Sequence, residues 1–149
     1  MIKVFKSERR LEVIKNGKRV FECPVSLGFC PIGHKESEGD GKTPEGKYRI
    51  CSVNRQSKFH ISLGVSYPSR LDALNAYKSK HLSLANALKI MLSVRPKWNT
   101  PLGGFIMLHG EAPQGKTGDW TQGCISVSNS DIEAIASLCR LGERIDIYK

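Results

Sequence analysis

The chain has 149 residues, 40% of them hydrophobic and 25% charged, which is typical of a single globular domain spanning residues 1–149. It contains no run of about 18 apolar residues, which excludes a membrane-spanning helix, and it is long enough to bury a core without metal ions or disulfides. The net charge of +9 favours polyanionic partners, but the basic residues are dispersed and no nucleic-acid-binding motif is present, so we expect no nucleic-acid partner.

The first third of the chain predicts strands and a hairpin. Apolar residues alternate with polar ones from Ile2 to Phe21, and the segment "KNGK" at 15–18 interrupts them. Because Asn-Gly supplies the positive φ angles of a two-residue turn, this region predicts an opening hairpin. The segment "CPVSLGFCPIG" at 23–33 predicts another short strand, and "GDGKTPEG" at 39–46 predicts a glycine-rich loop that leads into the strand "KYRICSV".

Helical periodicity replaces the strand pattern in the middle of the chain. Between Leu71 and Val94 apolar residues recur at three- and four-residue intervals, which predicts one or two helices. The apolar stripe from Leu74 to Leu92 is expected to face the core, as such stripes usually do in globular proteins.

The last third of the chain predicts short strands around one helix. The segments "GGFIMLHG" at 103–110, "CISVS" at 124–128 and the final "ERIDIYK" are typical of strands. Between the last two, "SNSDIEAIASLCRLG" predicts a helix that starts near Ser130 or Asp131 and stops at Gly142. Many short strands with few helices predict a mainly β domain, a β-rich member of the α+β class.

The chain contains five cysteines, which are Cys23, Cys30, Cys51, Cys124 and Cys139. If the other four paired, Cys124 would remain free, but reduced thiols fit the sequence equally well. No CxxC pair is present, so we expect no structural zinc site, and no motif implies a cofactor.

A histidine and a cysteine stand beside predicted strands in positions that suit nucleophilic catalysis. His109 ends the strand "FIMLHG", and Cys124 follows the turn "WTQG". A free cysteine is only a few per cent thiolate at neutral pH and needs a base, and histidine is suited to accept its proton. Gly123 allows a tight turn in which backbone N–H groups point at a developing oxyanion. The alternative is a buried structural thiol, the usual state of a free cysteine.

Taken together, these motifs resemble the L,D-transpeptidase catalytic domain of the YkuD type. That family has a strand ending in His-Gly, a variable loop, and then Ser/Thr-x-Gly-Cys before a hydrophobic residue. Here these are His109-Gly110 and "TQGCI" at 121–125. Three earlier segments also match in the expected order: "KSERRLEVIKNGK", "GDGKTPEGKYRI" and "FHISLGVSYPSRLDA". The resemblance covers nearly the whole chain and implies a β-sandwich or barrel with a few helices.

The resemblance implies a catalytic role for the residues of the motif. Cys124 would be the nucleophile and His109 its proton acceptor, with the backbone carbonyl of Gly110 orienting the imidazole. Backbone N–H groups around Gln122, Gly123 and Cys124 would form the oxyanion hole.

The same resemblance implies acyl transfer on peptidoglycan stem peptides. The Cys124 thiolate would attack the L-centre carbonyl of a diamino acid that carries a terminal D-residue, forming a thioester acyl-enzyme. An amine of a second stem peptide would then resolve the thioester, which cross-links or remodels the cell wall. Carbapenem-type β-lactams would acylate the same sulfur.

Other positions near the motif are assigned by the resemblance or depart from it. Thr121 would brace the turn, Tyr67 would shape the groove, and Trp120 would pack over it. Gln122 stands where the family often has His, and Ser126 stands where Arg or another polar residue is common. The second departure leaves open which residue holds the substrate's carboxylate. The candidates are Arg70, Arg95 and Lys116.

Three functions from different classes stay open on the sequence alone. The first is an L,D-transpeptidase, and the second is a hydrolase on the same scaffold, an L,D-carboxypeptidase, amidase or wall-targeting effector, with water as acceptor. The third is a non-catalytic polyanion-binding domain, which the His109 and Cys124 pair disfavours. We expect a monomer in the periplasm or cell envelope. The N-terminus alternates and lacks a signal-peptide pattern, which implies a removed leader, another export route, or retention inside the cell.

Overall fold

A computed structural model describes residues 1–110 and 118–149. Within these residues the chain forms eight strands and three helices. The strands are β1 (Ile2–Phe5), β2 (Arg10–Lys15), β3 (Lys18–Pro24), β4 (Gly46–Ser57), β5 (His60–Val65), β6 (Met107–His109), β7 (Ile125–Ser126) and β8 (Arg144–Tyr148). The helices are α1 (Arg70–Lys78), α2 (Leu84–Met91) and α3 (Asn129–Leu138). The predicted mainly β fold is confirmed.

The eight strands of the described residues form a curled sheet in the order β3-β2-β1-β8-β4-β5-β6-β7. The pairs β1–β8 and β6–β7 are parallel, and the other neighbours are antiparallel. Strands β6 and β7 therefore lie side by side at one end of the sheet. This topology brings the end of β6, at His109, close to the start of β7, which directly follows Cys124.

Alternating burial along the strands builds the core. Ile2 and Val4 of β1, and Ile145 and Ile147 of β8, are buried on one face of the sheet. Successive strand residues point to opposite faces, so every second residue can be apolar without exposing it to water. Burying each such side chain contributes roughly 1.5–3 kcal/mol, which makes the central strands a stable support for the end of the sheet.

The predicted opening hairpin is confirmed, and the next predicted strand is only partly present. Asn16 and Gly17 have φ angles of 51° and 76° and connect β2 to β3. The predicted strand at 23–33 is wrong beyond Pro24: the chain continues as two isolated bridges, from Ser26 to Ser126 and from Gly28 to Thr121. The partners of this segment come from the far end of the sequence, so local alternation did not reveal them.

Both predicted helices of the middle segment are present, and the last helix has different bounds. Ser69 caps α1 and Ser83 caps α2 through their hydroxyl groups. Helix α3 begins one residue after Ser128, whose hydroxyl accepts a hydrogen bond from the Asp131 N–H. It ends at Leu138, so the predicted stop at Gly142 was wrong, because that glycine lies in the turn before β8.

The apolar stripe of the middle segment does not face the core as predicted. Leu88 and Leu92 are 42% and 76% exposed, whereas Ala87 and Ile90 are buried. Helix α2 has eight residues and packs against the core through the face that carries Ala87 and Ile90. Apolar residues occur all around the helix, so periodicity alone chose the wrong side.

All five cysteine thiols are free, in agreement with one of the two alternatives left by the sequence. Burial raises the pKa of Cys23 to about 12, so this thiol is unreactive at neutral pH. Cys30 is exposed, Cys51 is half-buried and Cys139 is buried. Across the part of the chain that the structure describes, the helices are too short and too polar to span a bilayer.

Candidate active site

Cys124 lies at the end of a tight turn that feeds directly into β7. Gly123 in this turn has a φ of +130°, and a Cβ atom there would lie 2.7 Å from the Lys42 carbonyl oxygen. The Thr121 hydroxyl accepts a hydrogen bond from the Gly123 N–H at 3.1 Å and donates one to the Cys124 carbonyl at 2.7 Å. Only glycine fits the turn, and Thr121 ties its two ends together.

The segment that failed as a regular strand holds this turn in place. Ser26 and Ser126 exchange both of their backbone hydrogen bonds, at 2.9 and 2.8 Å. The Phe29 N–H donates to the Thr121 carbonyl at 2.9 Å, and the Thr121 N–H donates to the Leu27 carbonyl at 3.0 Å. The turn before Cys124 is therefore fixed on both sides by a backbone ladder.

An ion pair adds a further anchor next to the turn. The Asp119 carboxylate accepts a hydrogen bond from the Leu27 N–H at 2.9 Å and pairs with Arg9 at 2.7 Å. Asp119 comes two residues before Thr121, so the approach to the turn is held by a charge-assisted contact. Nothing in the sequence pattern pointed to this pair.

His109 ends β6 and is 2% exposed. Its Nδ1 lies 2.7 Å from the carbonyl oxygen of Gly110, and a carbonyl can only accept, so Nδ1 carries the proton and Nε2 is the basic nitrogen of the neutral ring. The Phe59 ring stacks on the imidazole at 4.5 Å between centroids, and Trp120 meets it edge-on at 6.1 Å. This hydrogen bond and these aromatic contacts hold the orientation of the ring.

The register of the two strands puts Cys124 and His109 on the same face. Leu108 pairs with Ile125 and His109 pairs with Ser126 in the parallel β6–β7 ladder. One step earlier, the Met107 N–H donates to the Cys124 Sγ at 3.4 Å. Paired residues of adjacent strands share a face and alternate residues return to it, so extending the alternation of β7 by one residue puts Cys124 on the side of His109.

The surroundings of the Cys124 sulfur favour the neutral thiol at rest. Burial raises the pKa of this thiol, while the Met107 N–H and the charge of Lys35 oppose the increase. The thiol also donates to the Phe105 carbonyl at 3.5 Å. Phe105 is a non-glycine residue with a φ of 54° and is 61% exposed, so its backbone is strained where it meets the sulfur. A base is required to generate the thiolate.

A cavity of about 320 Å³ opens in front of the sulfur, and we call it the Cys124 cleft. Its walls include Lys35, Glu38, Gly103, Phe105, Gln122 and Cys124. Of the described residues that line it, Lys35 is the one with a positive charge. Sequence reasoning missed Lys35, because it stands in "HKESEGD" with no motif that relates it to the cysteine.

The residues expected to hold a substrate carboxylate lie elsewhere. Arg70 lines a separate groove together with Lys47, Arg49 and Arg144. Arg95 lines another cavity, beside Trp98 and Leu141. Lys116 lies outside the described residues. Neither arginine is part of the Cys124 cleft.

Two other residues of the predicted site are buried. Tyr67 is fully buried, and its hydroxyl shares its one proton between the carbonyl oxygens of Lys35 and Leu102, both at 3.1 Å. Ser126 is also buried, and its backbone belongs to the ladder with Ser26. Tyr67 thus supports the wall of the cleft at Lys35, and neither residue is among those that line the cleft.

The backbone donors of the turn are divided between two uses. The Gly123 N–H already donates to the Thr121 hydroxyl. Among the residues that the structure describes, none accepts a hydrogen bond from the N–H of Gln122 or Cys124. These two N–H groups, and not that of Gly123, are the donors left for an oxyanion.

Comparison with known proteins supports one family. A model of the L,D-transpeptidase catalytic domain, YkuD, matches residues 1–147. The chain is 28% identical over 90 residues to YafK of Escherichia coli (strain K12), which covers 56% of this chain and 36% of YafK. The chain thus spans about a third of the length of this curated relative.

Two solved structures share the fold. The helical cell shape determining protein Pgp2 from Campylobacter jejuni has 24% identity and a TM-score of 0.69, over 98% of this chain and 46% of that chain. The carbamoyl enzyme that Ldtfm forms with avibactam has 12% identity and a TM-score of 0.61, over 99% of this chain and 48% of that chain. Together with the match of the family model, which extends from residue 1 to residue 147, this likeness shows that the chain belongs to the L,D-transpeptidase catalytic domain (YkuD) family.

Proposed function

We propose that this chain is the catalytic domain of an enzyme that transfers acyl groups of peptidoglycan stem peptides through Cys124. The observation that carries the proposal is the pairing of β6 with β7, which puts His109 and Cys124 on one face of the sheet. The bond from His109 Nδ1 to the Gly110 carbonyl leaves Nε2 as the base. Membership of the YkuD family supports the choice of substrate.

The reaction begins with proton transfer from the Cys124 thiol to His109 Nε2. The thiolate attacks the L-centre carbonyl of the diamino acid, and the N–H groups of Gln122 and Cys124 stabilise the tetrahedral oxyanion. His109 returns its proton to the departing amine of the D-residue, and a thioester remains. Burial keeps the thiol neutral until substrate is bound, because it raises the Cys124 pKa.

The acceptor decides between the two catalytic alternatives. An amine of a second stem peptide makes the enzyme an L,D-transpeptidase, and water makes it an L,D-carboxypeptidase or amidase. We propose the transpeptidase, on the strength of the family to which the chain belongs. The substrate would place the protein in the periplasm or at the cell envelope.

We also propose that β-lactams acylate Cys124. The solved Ldtfm structure is an avibactam carbamoyl enzyme, and it shares the fold over 99% of this chain. A strained lactam presents a carbonyl to the thiolate in the same way as a stem peptide does, and ring opening leaves a covalent adduct. The cell shape role named for Pgp2 is in keeping with wall remodelling as the outcome for this chain as well.

Product analysis with purified disaccharide tetrapeptide tests the proposal. Wild-type protein should release the terminal D-residue and give dimeric muropeptides, while Cys124→Ser and His109→Asn should give neither. Cys30→Ser is the matched control, because it removes an exposed thiol and should leave activity unchanged. Trimmed monomers without dimers would replace the transpeptidase by the hydrolase, and an active Cys124→Ser variant would contradict the proposal altogether.

A further inference from the structure

Lys35 is a buried cation in the wall of the Cys124 cleft. It is 3% exposed, and its Nζ donates to the Ser37 carbonyl and to Asp40 Oδ1, both at 2.8 Å. An ammonium group has three N–H donors, and these two contacts use two of them. The third N–H is left for another acceptor, and Lys35 is among the residues that line the cleft.

The Lys35 side chain is held rigidly against this wall. Gly103 has a φ of +80°, and a Cβ atom there would lie 3.1 Å from Lys35 Cε and 3.5 Å from Nζ. The Tyr67 hydroxyl fixes the Lys35 backbone from behind. Because lysine otherwise loses much rotamer entropy on binding a ligand, this rigid placement lowers the cost of holding an anion.

Asp40, the ion-pair partner of Lys35, also accepts backbone hydrogen bonds, which spread its negative charge. The Asp40 carboxylate also accepts hydrogen bonds from the N–H groups of Glu36, Ser37 and Lys42, at 2.8, 3.0 and 3.0 Å. Burial acts to raise the pKa of Asp40, but the Lys35 ammonium and these N–H donors together outweigh it and lower the pKa, so Asp40 stays ionised and organises the loop. Its charge is shared among four donors, and Lys35 keeps positive character toward the cleft.

The other charged residue described in the cleft wall, Glu38, is screened by solvent more than Lys35 is. Glu38 lines the same cavity but is exposed to solvent, so water and salt screen its charge. The charge of Lys35, in contrast, reaches the sulfur, since it is one of the two influences that lower the Cys124 pKa. An anion bound near the sulfur would therefore meet Lys35 as the one buried cation among the described residues of the cleft wall.

We propose that Lys35 holds the free carboxylate of the donor's terminal residue beside Cys124, and so selects donor peptides that end one residue after the attacked carbonyl. The inference rests on the proposed function for the identity of the donor. It assigns to Lys35 the task for which Arg70 and Arg95 are misplaced, since both line other cavities. Lys35 is a specificity-determining residue in this account.

Two thiol reagents that differ by one charge test the proposal. N-bromoacetyl-D-alanine carries a carboxylate beyond an amide bond, as the terminal residue of a donor does, and N-bromoacetyl-D-alaninamide has none. The acid-to-amide rate ratio is measured at Cys124 by peptide-resolved mass spectrometry and divided by the ratio at the exposed Cys30 of the same chain. The internal reference removes the intrinsic reactivity of each reagent.

Three variants give the ratio a direction. Lys35→Met should lower it about fivefold, the effect of a unit charge about 4 Å away in water. Asp40→Asn should raise it, because Lys35 is then no longer partly neutralised. Lys42→Met is the matched control from the same loop, because Lys42 does not line the cleft, and should leave it within twofold. Should Lys35→Met fail to fold, the rise in Asp40→Asn alone carries the test.

A purely structural role for Lys35 predicts a different outcome. In that case Lys35→Met and Asp40→Asn both loosen the loop and shift the ratio in the same direction, or leave it unchanged, and either result overturns the proposal. Alkylation requires no turnover. If the ratio depends on Lys35 but the wild-type protein fails to process tetrapeptide, the proposed function alone is contradicted. If the wild-type protein processes tetrapeptide but the ratio does not depend on Lys35, the role of Lys35 alone is contradicted.

Discussion

The brace formed by Thr121 can be removed with little change in shape. Thr121→Val keeps the volume of the side chain and deletes the hydroxyl, which accepts from the Gly123 N–H and donates to the Cys124 carbonyl. Losing the second bond costs about 1 kcal/mol, and leaving the buried Gly123 N–H without a partner costs about 1–3 kcal/mol more. We expect the free energy of unfolding to fall by about 2–4 kcal/mol, as measured by urea denaturation followed by tryptophan fluorescence.

The same substitution should impair the site more than its loss of stability explains. A turn released by a fraction of an ångström misplaces the sulfur, and we expect the rate of Cys124 acylation by a carbapenem to drop about tenfold or more. Ile145→Ala in β8 is the control, because it should cost a similar 2–5 kcal/mol in a strand that three other strands separate from β7 in the sheet order. Equal acylation rates in Thr121→Val and Ile145→Ala, or an unchanged urea midpoint for Thr121→Val, would refute the brace.

Three more predictions concern the turn, the exposed helix face and a buried thiol. Gly123→Ala should slow carbapenem acylation about tenfold or more because its Cβ meets a backbone carbonyl, whereas Gly17→Ala, with open space around its Cβ, should lower stability alone; equal rates would contradict this. Leu88→Ala should change the unfolding free energy by less than about 0.5 kcal/mol and Ile90→Ala should cost about 2–5 kcal/mol, since only the second is buried; urea midpoints in the opposite order would be incompatible with the observed helix face. The pKa of Cys23 is raised to about 12, so folding favours its neutral thiol, and this contribution is lost as pH rises from about 9 toward 12. Between pH 9 and 11 the unfolding free energy of wild type should therefore fall more steeply than that of Cys23→Ala, by up to about 1.4 kcal/mol per pH unit, and parallel pH curves would show that the thiol is accessible.

Features encoded by neighbouring residues were predictable from the sequence. The turn was predictable because Asn16 and Gly17 are residue types that adopt the positive φ angles it needs, and the structure has those angles. The helices of the middle segment were predictable from their apolar spacing. Placing His109 at a strand end and Cys124 after a turn needed only the short motifs around them. In each case the deciding interactions lie within a few residues along the chain.

Features that depend on distant contacts were not predictable. The segment after Pro24 pairs with Ser126 and Thr121 in place of forming a regular strand, and nothing in its own pattern indicates those partners. Helix α2 turns Leu88 outward because packing with the rest of the fold, and not hydrophobicity alone, selects its buried side. Lys35 approaches Cys124 through the fold of its loop, so a search for nearby cations in the motif could not find it.

The most direct test of the account is the intact mass of the protein after incubation with a carbapenem, followed by localisation of the adduct in a peptide digest. Wild-type protein is predicted to gain the mass of one carbapenem at Cys124, His109→Asn to react much more slowly, and Cys124→Ser to stay unmodified. An adduct at Cys30 or another thiol with Cys124 unmodified, or no adduct on wild type that is shown to be folded, would contradict the assignment of Cys124 as the nucleophile.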